Sequence, residues 1–375
     1  MSCGSELDLG SSKMLESLGE IYEALYSVRR MGFYRVLKEL VRSGVRRRTA
    51  ALQKLRSIAK LHDDGLISLR LDYHIHLMKL GMALVYVPKT VECVKLPPTI
   101  PFLRSCLNVV PAGTVLTFYY PETFRPRKLE EVGIQHYTFF ERIFSRADIS
   151  SYASGLVENP DSLFSSKKME DHLRKRLRKD EDNLQHLQAE VFSRELKVRI
   201  DNKDLLVLSS MELNPLTTES MDVKLGMKRD TYEKHLEHSE RVLRGIRIRK
   251  IGNLLTKSRI ILMPLIRGKE RELLRFFDAV ISYPITVSAV VSKDVKLLIV
   301  QFLLPPNIDA VRGIATALRD TAQESGLEVA EYFMGDLSTL RNFQVPSVRE
   351  VEYSPIRKTW LDSSLRMVLK YIKKE

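Results

Sequence analysis

The feature that most restricts the fold of this chain is a repeat: the same series of periodicities runs twice along its 375 residues. In the first pass, Leu15, Leu18, Ile21, Tyr22 and Leu25 share one helical face, and Phe33, Val36, Leu37, Leu40 and Val41 share another. After Gly44 the spacing predicts a third helix with a core face of Leu52, Leu55, Ala59 and His62. Asp63-Asp64-Gly65 closes it, and the alternation from Leu66 to Leu71 reads as a strand. Three short helices and a strand make a winged helix-turn-helix.

The second pass begins near Asp201, where Asp201 or Asn202 can cap a helix through Leu205, Leu206 and Leu208. Asn214-Pro215 breaks it, a short helix follows Thr217 and ends at Gly226, and a third starts at Arg229 with Tyr232, Leu236, Ser239 and Leu243 inward. Its end is open between Gly245 and Gly252. Each helical unit is followed by interleaved strand and helix patterns. In the second copy these are a strand over Ile260–Ile266, a helix over Glu270–Val280, a hairpin of Ile285–Val291 with Val295–Leu304, a helix over Ile308–Glu324 and a strand over Val329–Met334. The first copy is expected to match: strand Met82–Val87, helix Ile100–Cys106, strand Val115–Tyr120, helix Leu129–Phe144 and strand Ala147–Tyr152. Phe118-Tyr-Tyr-Pro121 and Phe302-Leu-Leu-Pro305 end a strand at corresponding places.

The expected fold is therefore α+β: tandem winged helix-turn-helix domains, each followed by a ferredoxin-like βαββαβ domain. The boundaries are 1–75 and 76–160 for the first pair and 201–258 and 259–340 for the second. A charged linker helix spans 161–200, packed on a neighbouring domain, and a tail with a short helix spans 341–375.

This arrangement resembles the Lrp/AsnC family of transcriptional regulators, doubled in one chain. The matching text is Val36 to Thr49 with Asp63-Asp-Gly-Leu-Ile67, and Thr218 to Thr231 in the second copy. The resemblance implies that the βαββαβ domains pair and bind a small-molecule effector. The turns where the family carries a glycine–acid pattern read Pro111-Ala-Gly-Thr114 and Ser292-Lys-Asp-Val295 here. Two such domains in one chain predict a pseudo-dimeric monomer, the pairing surface being filled from within.

The net charge of +13 favours a polyanionic partner, since neutralised phosphates release counterions. Duplex DNA is the expected partner, read by Thr49, Gln53, Arg56 and Lys60 on the first third helix, with Arg46, Arg47 and Arg48 on phosphates. In the second copy the outward set is Thr231, Lys234, His238 and Arg241, with Lys228 and Arg229 at the helix start. Arg70, Arg247 and Arg249 are expected in the wings. The cluster Arg174 to Lys179 reads as a solvated face.

No nucleotide, nucleophile or metalloprotease motif occurs, so no enzyme, cofactor or catalytic residue is expected. Asp72-Tyr-His-Ile-His76 and the pair His235 and His238 have ligand-like spacing, but no further ligand lies near them in sequence. Cys3, Cys93 and Cys106 are too few for a disulfide framework and read as ordinary thiols in a reducing cytosol, hence a cytoplasmic, nucleoid-associated protein. The start lacks the pattern of a secretory signal, and no apolar run is long enough for a membrane span. Two other readings remain open: an RNA-binding or ribosome-associated module stacking bases on Phe118 and Tyr120, and an interaction scaffold with degenerate winged helices.

Overall fold

The computed structural model describes residues 24–44, 47–65, 67–96, 102–110, 112–121, 135–139, 141–144, 163–178, 199–212, 214–251, 259–342, 353–354, 356 and 359–361. The chain is α+β with antiparallel sheets. Helices α1 (Phe33–Arg42) and α2 (Arg48–Asp63) lead into strand β1 (Ile67–Tyr73). The buried stripe of α2 is Ala51, Leu55, Ile58 and Leu61, one residue round from the expected face, and Leu52 and Ala59 are only half-buried. The later helical unit comprises α4 (Asn202–Met211), α5 (Met221–Lys224) and α6 (Arg229–Glu240), followed by strand β7 (Leu243–Ile251). Asp201 caps α4 in a reciprocal box with Asp204, and α6 stops at Glu240, before either glycine considered as its end.

The two helical units are packed on each other. Strands β1 and β7 pair antiparallel as a sheet of their own. Gly245 lies where β7 passes the preceding chain, and a Cβ there would sit 2.1 Å from the Tyr26 carbonyl oxygen. Buried Glu240 of α6 accepts from the Met31 amide and from the guanidinium groups of Arg30 and Arg35 at 2.6–3.0 Å.

Between and after these units run β2 (Leu80–Val87), β3 (Leu103–Val110), β4 (Thr114–Pro121), β5 (Gln135–Phe139) and β6 (Glu141–Phe144), and then β8 (Ile260–Arg267), β9 (Thr286–Val291), β10 (Leu297–Leu304), β11 (Glu328–Asp336) and β12 (Arg341–Asn342). Helix α7 (Glu270–Ile281) joins β8 to β9, and α8 (Ile308–Glu324) joins β10 to β11. The strand order is β5-β2-β4-β3 in the first half and β11-β8-β10-β9 in the second, the same order read through corresponding strands. The halves join where β11 pairs β3 and where β9 pairs β6. Because β5 continues into β6 after a single residue, the two ends of the strand path meet and the ten-stranded sheet closes on itself. At the β11–β3 seam a Cβ on Gly335 would meet Leu107 and the Asn108 carbonyl within 2.7 Å, so the strands approach this closely only at glycine.

Helix α3 (Ser166–Leu177) lies against α7 and α8, burying Met169 and Leu173, and its His172 Nε2 contacts the Ala279 carbonyl at 3.1 Å. Residues 179–198 of the expected linker helix lie outside the described residues, as do most of the helix expected over Met14–Leu25, the strand expected over Ala147–Tyr152 and most of the C-terminal tail. In that tail β13 (Tyr353–Ser354) and β14 (Thr359–Trp360) form a short hairpin, and the buried Trp360 indole donates to the Met78 carbonyl.

Three expectations for the first half are corrected. Ile100–Cys106 is not a helix: the described part is strand from Leu103. The latter part of Leu129–Phe144 is strand β5 and strand β6, since Tyr137, Phe139 and Ile143 alternate into the interior. Cys93 and Cys106 are joined as a disulfide and are not free thiols. Among the described residues no helix is long and apolar enough to cross a membrane.

Candidate functional site

The closed sheet encloses a cavity of about 530 Å³. Its walls follow the pleat: Met82 and Leu84 from β2, Val115 and Thr117 from β4, Ile261 and Met263 from β8, and Ile299, Gln301 and Leu303 from β10 are alternate residues of their strands. Into this mostly apolar space face four charged side chains: Arg70 of β1, Arg104 of β3, Arg142 of β6, and Glu212, which ends α4.

Arg104 and Glu212 are buried, and their side chains meet at 2.7 Å. The Arg104 guanidinium lies 5.0 Å from the centre of the Tyr119 ring. Among the described residues its Nε and Nη1 have no hydrogen-bond partner, nor does Oε2 of Glu212. Buried Tyr73 donates to Glu212 Oε1 at 3.3 Å and lies 3.4 Å from the Tyr119 hydroxyl. Burial would raise the Glu212 carboxyl, but Arg104, Arg142 and Arg70 together overcome it and hold that carboxyl below its usual range. Burial first, and then the Glu212 charge, push the Tyr73 hydroxyl well above its ordinary value, so it remains a neutral phenol. Three guanidinium groups thus face one carboxylate across a space large enough for a small molecule. The surplus positive charge can hold an anionic group, and the phenol beside it can donate a proton or a hydrogen bond.

Sequence reasoning placed Arg70 in a DNA-facing wing and passed over Arg104, Arg142 and Glu212. Arg104, next to Ser105, lies between Phe102-Leu103 and Cys106-Leu107, and Arg142, next to Glu141, lies between Phe139-Phe140 and Ile143-Phe144; a charge flanked by apolar residues on both sides is the signal that could have found them.

The expected DNA contacts are dispersed. Arg47, Arg48, Thr49, Gln53, Arg56 and Lys60 are exposed along α2, and Arg46 lies outside the described residues. On α6, Lys228, Arg229, Lys234 and Arg241 are exposed while Thr231 and His238 are half-buried. Arg70 is half-buried and lines the cavity. Arg247 is 3% exposed: its Nε donates to Asp72 Oδ2 at 3.0 Å, and its guanidinium covers the Tyr26 ring at 4.5 Å. Arg244 donates to the other Asp72 oxygen, also at 3.0 Å. The side chain of Arg249 is not described, although its backbone lies in β7. The strands read as wings are therefore paired with each other around a buried ionic cluster. Phe118, offered for base stacking, is 1% exposed.

No protein-family model matches the chain, and no curated protein matches it. Two solved structures follow nearly its whole course. One is of the siroheme decarboxylase NirDL, with 10% identity and a TM-score of 0.44 over 96% of this chain and 98% of that one. The other is of the same enzyme in co-complex with an iron-uroporphyrin III analogue, with 10% identity and a TM-score of 0.46 over 95% and 98%. A likeness this distant assigns no activity here. The expected DNA-binding regulator is corrected on the geometry: the strands read as wings pair with each other, and Arg70 and Arg247 turn inward, to the cavity and to Asp72. Duplex DNA as partner, regulation of transcription and nucleoid association fall with that reading, and catalysis is no longer excluded, both of those structures being of an enzyme. Of the pair offered for base stacking in the RNA-binding alternative, Phe118 is buried and Tyr120 half-buried, so no two-ring platform faces outward there.

Proposed function

We propose that this chain binds an anionic small molecule with a large apolar body inside its closed sheet, Arg70, Arg104 and Arg142 taking the anionic edge. The observation that carries this reading is the unbalanced charge at Arg104: a buried guanidinium with two nitrogens unbonded, facing a cavity beside two further arginines and a single carboxylate. A buried charge left so is costly, and a carboxylate or phosphate from a ligand would satisfy the free nitrogens in the fork geometry that guanidinium offers. A volume of 530 Å³ lies within the ~300–1,000 Å³ of small-molecule sites. The apolar strand residues opposite would hold the body of the ligand. Glu212, held as a carboxylate, can accept a proton or hydrogen bond from a bound group, and Tyr73, held as a neutral phenol, can donate a hydrogen bond.

The proposal extends to the origin of the cavity. The shared strand order supports reading the chain as an internal duplication of an Lrp/AsnC-like unit, 1–75 with 76–160 and 201–258 with 259–340, whose second domains pair within the one chain and enclose the site.

The test is a panel of thermal shifts and absorbance titrations with multiply carboxylated aromatic compounds, iron-uroporphyrin III among them, each beside an uncharged analogue. Saturable binding of the carboxylated members, abolished by Arg104→Leu together with Arg142→Leu in a folded variant, is the expected result. Binding that ignores the carboxylates, or that survives both substitutions, would remove the proposal.

A further inference from the structure

Away from the cavity, between α4 and α6, a second group of side chains converges. Helix α6 presents His235 and His238 three residues apart on one face, and α4 brings Asp204 against them. Asp204 Oδ1 lies 2.7 Å from His235 Nδ1 and 3.7 Å from His238 Nδ1, and the three candidate donor atoms all fall within 4.8 Å of one another. Asp204 and His235 are buried, while His238 is half-buried at the surface.

We propose that Asp204, His235 and His238 form a site for a divalent transition-metal ion of the zinc type. Two imidazoles and one carboxylate are a donor set of that class, leaving a fourth position for water on the open side of His238. Tetrahedral bonds of ~2.0–2.1 Å place donor atoms about 3.3 Å apart, between the 2.7 and 3.7 Å seen here, so small rotations of the two rings suffice. Asp204 is already oriented: its Oδ2 accepts from the Asp201 amide at 2.9 Å, and its own amide donates to Asp201 Oδ1 at 3.0 Å, which leaves Oδ1 for the ion. Asp201 Oδ1, 3.7 Å from His235 Nδ1, supplies a second negative charge close by. A hydrogen bond between Asp204 and His235 would by itself tie the helices together. It would not bring a second imidazole to the same oxygen, and at 3.7 Å His238 is beyond hydrogen-bond reach of it. On binding, Nδ1 of each ring offers its lone pair to the ion while the ring hydrogen sits on Nε2, so both coordinate as neutral imidazoles.

The full chain, stripped with a chelator, is titrated with Zn²⁺ against a chromogenic indicator, and separately with Co²⁺ while the visible spectrum is followed. One ion per chain with an intense tetrahedral Co²⁺ spectrum is expected. His238→Ala, which leaves the Asp204–His235 bond in place and so keeps the fold, should weaken binding at least tenfold, and His74→Ala should leave it unchanged. Absence of uptake, a weak octahedral Co²⁺ spectrum, or equal affinity in His238→Ala and the unaltered chain would each overturn the site and leave a hydrogen bond only.

Discussion

Strands β2 to β5 and strands β8 to β11 follow the same order in their half-sheets and both line the cavity with apolar residues, yet its arginines come from one side only. The first half, with the wing strand before it and β6 after it, contributes Arg70, Arg104 and Arg142. The second contributes Ile261, Met263, Val290, Ile299 and Leu303, with Ser288, Gln301 and Asn342 polar and Glu212 as its one charged group there. They differ on the outer face as well: α7 and α8 bury Leu273, Phe276, Phe277, Ile314 and Leu318 over the second half. That half can be stabilised by ordinary apolar burial on both sides of its sheet. The first half bears charges whose arrangement serves a ligand better than the empty fold, as expected where function sets the residues and stability is supplied elsewhere.

The largest test of this contrast is stability. Arg104→Leu leaves Glu212 buried without its partner and should cost about 3–5 kcal/mol, read as a shift in denaturant midpoint. Ile261→Val, on the opposite wall, should cost no more than about 1.5 kcal/mol. Similar costs would mean that the charged wall is not held by the Arg104–Glu212 pair.

Ligand affinity should divide in the same way. Arg142→Ala removes a charged hydrogen-bond donor worth about 1.5–3 kcal/mol, a loss of roughly 10- to 100-fold in Kd for a carboxylated ligand. Gln301→Leu should change it by less than about threefold. A larger effect at Gln301 would place the anionic edge on the wrong wall.

Acid should act on the charged wall, where Glu212 meets Arg104, before the apolar one. The folded Glu212 carboxyl is held below its unfolded value, so its contribution is fully present above the unfolded pKa of about 4.3 and is lost as pH falls through the depressed folded value. Stability measured against pH should therefore drop on the acid side, and the drop attributable to this group should vanish in Glu212→Gln. Tyr73→Phe, which deletes one neutral donor to Glu212, should cost about 1 kcal/mol and move the acid limb slightly upward.

The same division explains what could be read from the sequence. Every strand and helix over Ile260–Met334 is present, because each carries an unmixed period: two for the strands, 3.6 for α7 and α8. In the first half, Phe102, Leu103 and Cys106 mimic a helical face in sequence, and Phe139, Phe140 and Ile143 do the same, although Leu103–Val110, Gln135–Phe139 and Glu141–Phe144 are strands. Buried strands with apolar residues on both faces lose the alternation that identifies them. Arg104 and Arg142 were illegible for that reason, since a charge inside a misread helix passes for its solvent face. Arg70 and Arg247 were singled out as basic but assigned outward; only the pairing of β1 with β7 shows that their wing is shared and turned inward. The partner of His235 lies 31 residues away on another helix, beyond the reach of spacing arguments.

The most direct measurement compares Kd for a multiply carboxylated planar aromatic ligand with Kd for its methyl ester, in the unaltered chain and in Arg142→Ala. A ligand held by its anionic edge against the arginine wall should bind the unaltered chain at least tenfold more tightly as the acid than as the ester, and that preference should shrink severalfold in the variant. Equal affinity for acid and ester, or an identical preference in both proteins, would contradict the assignment of the cavity as an anion-selective binding site.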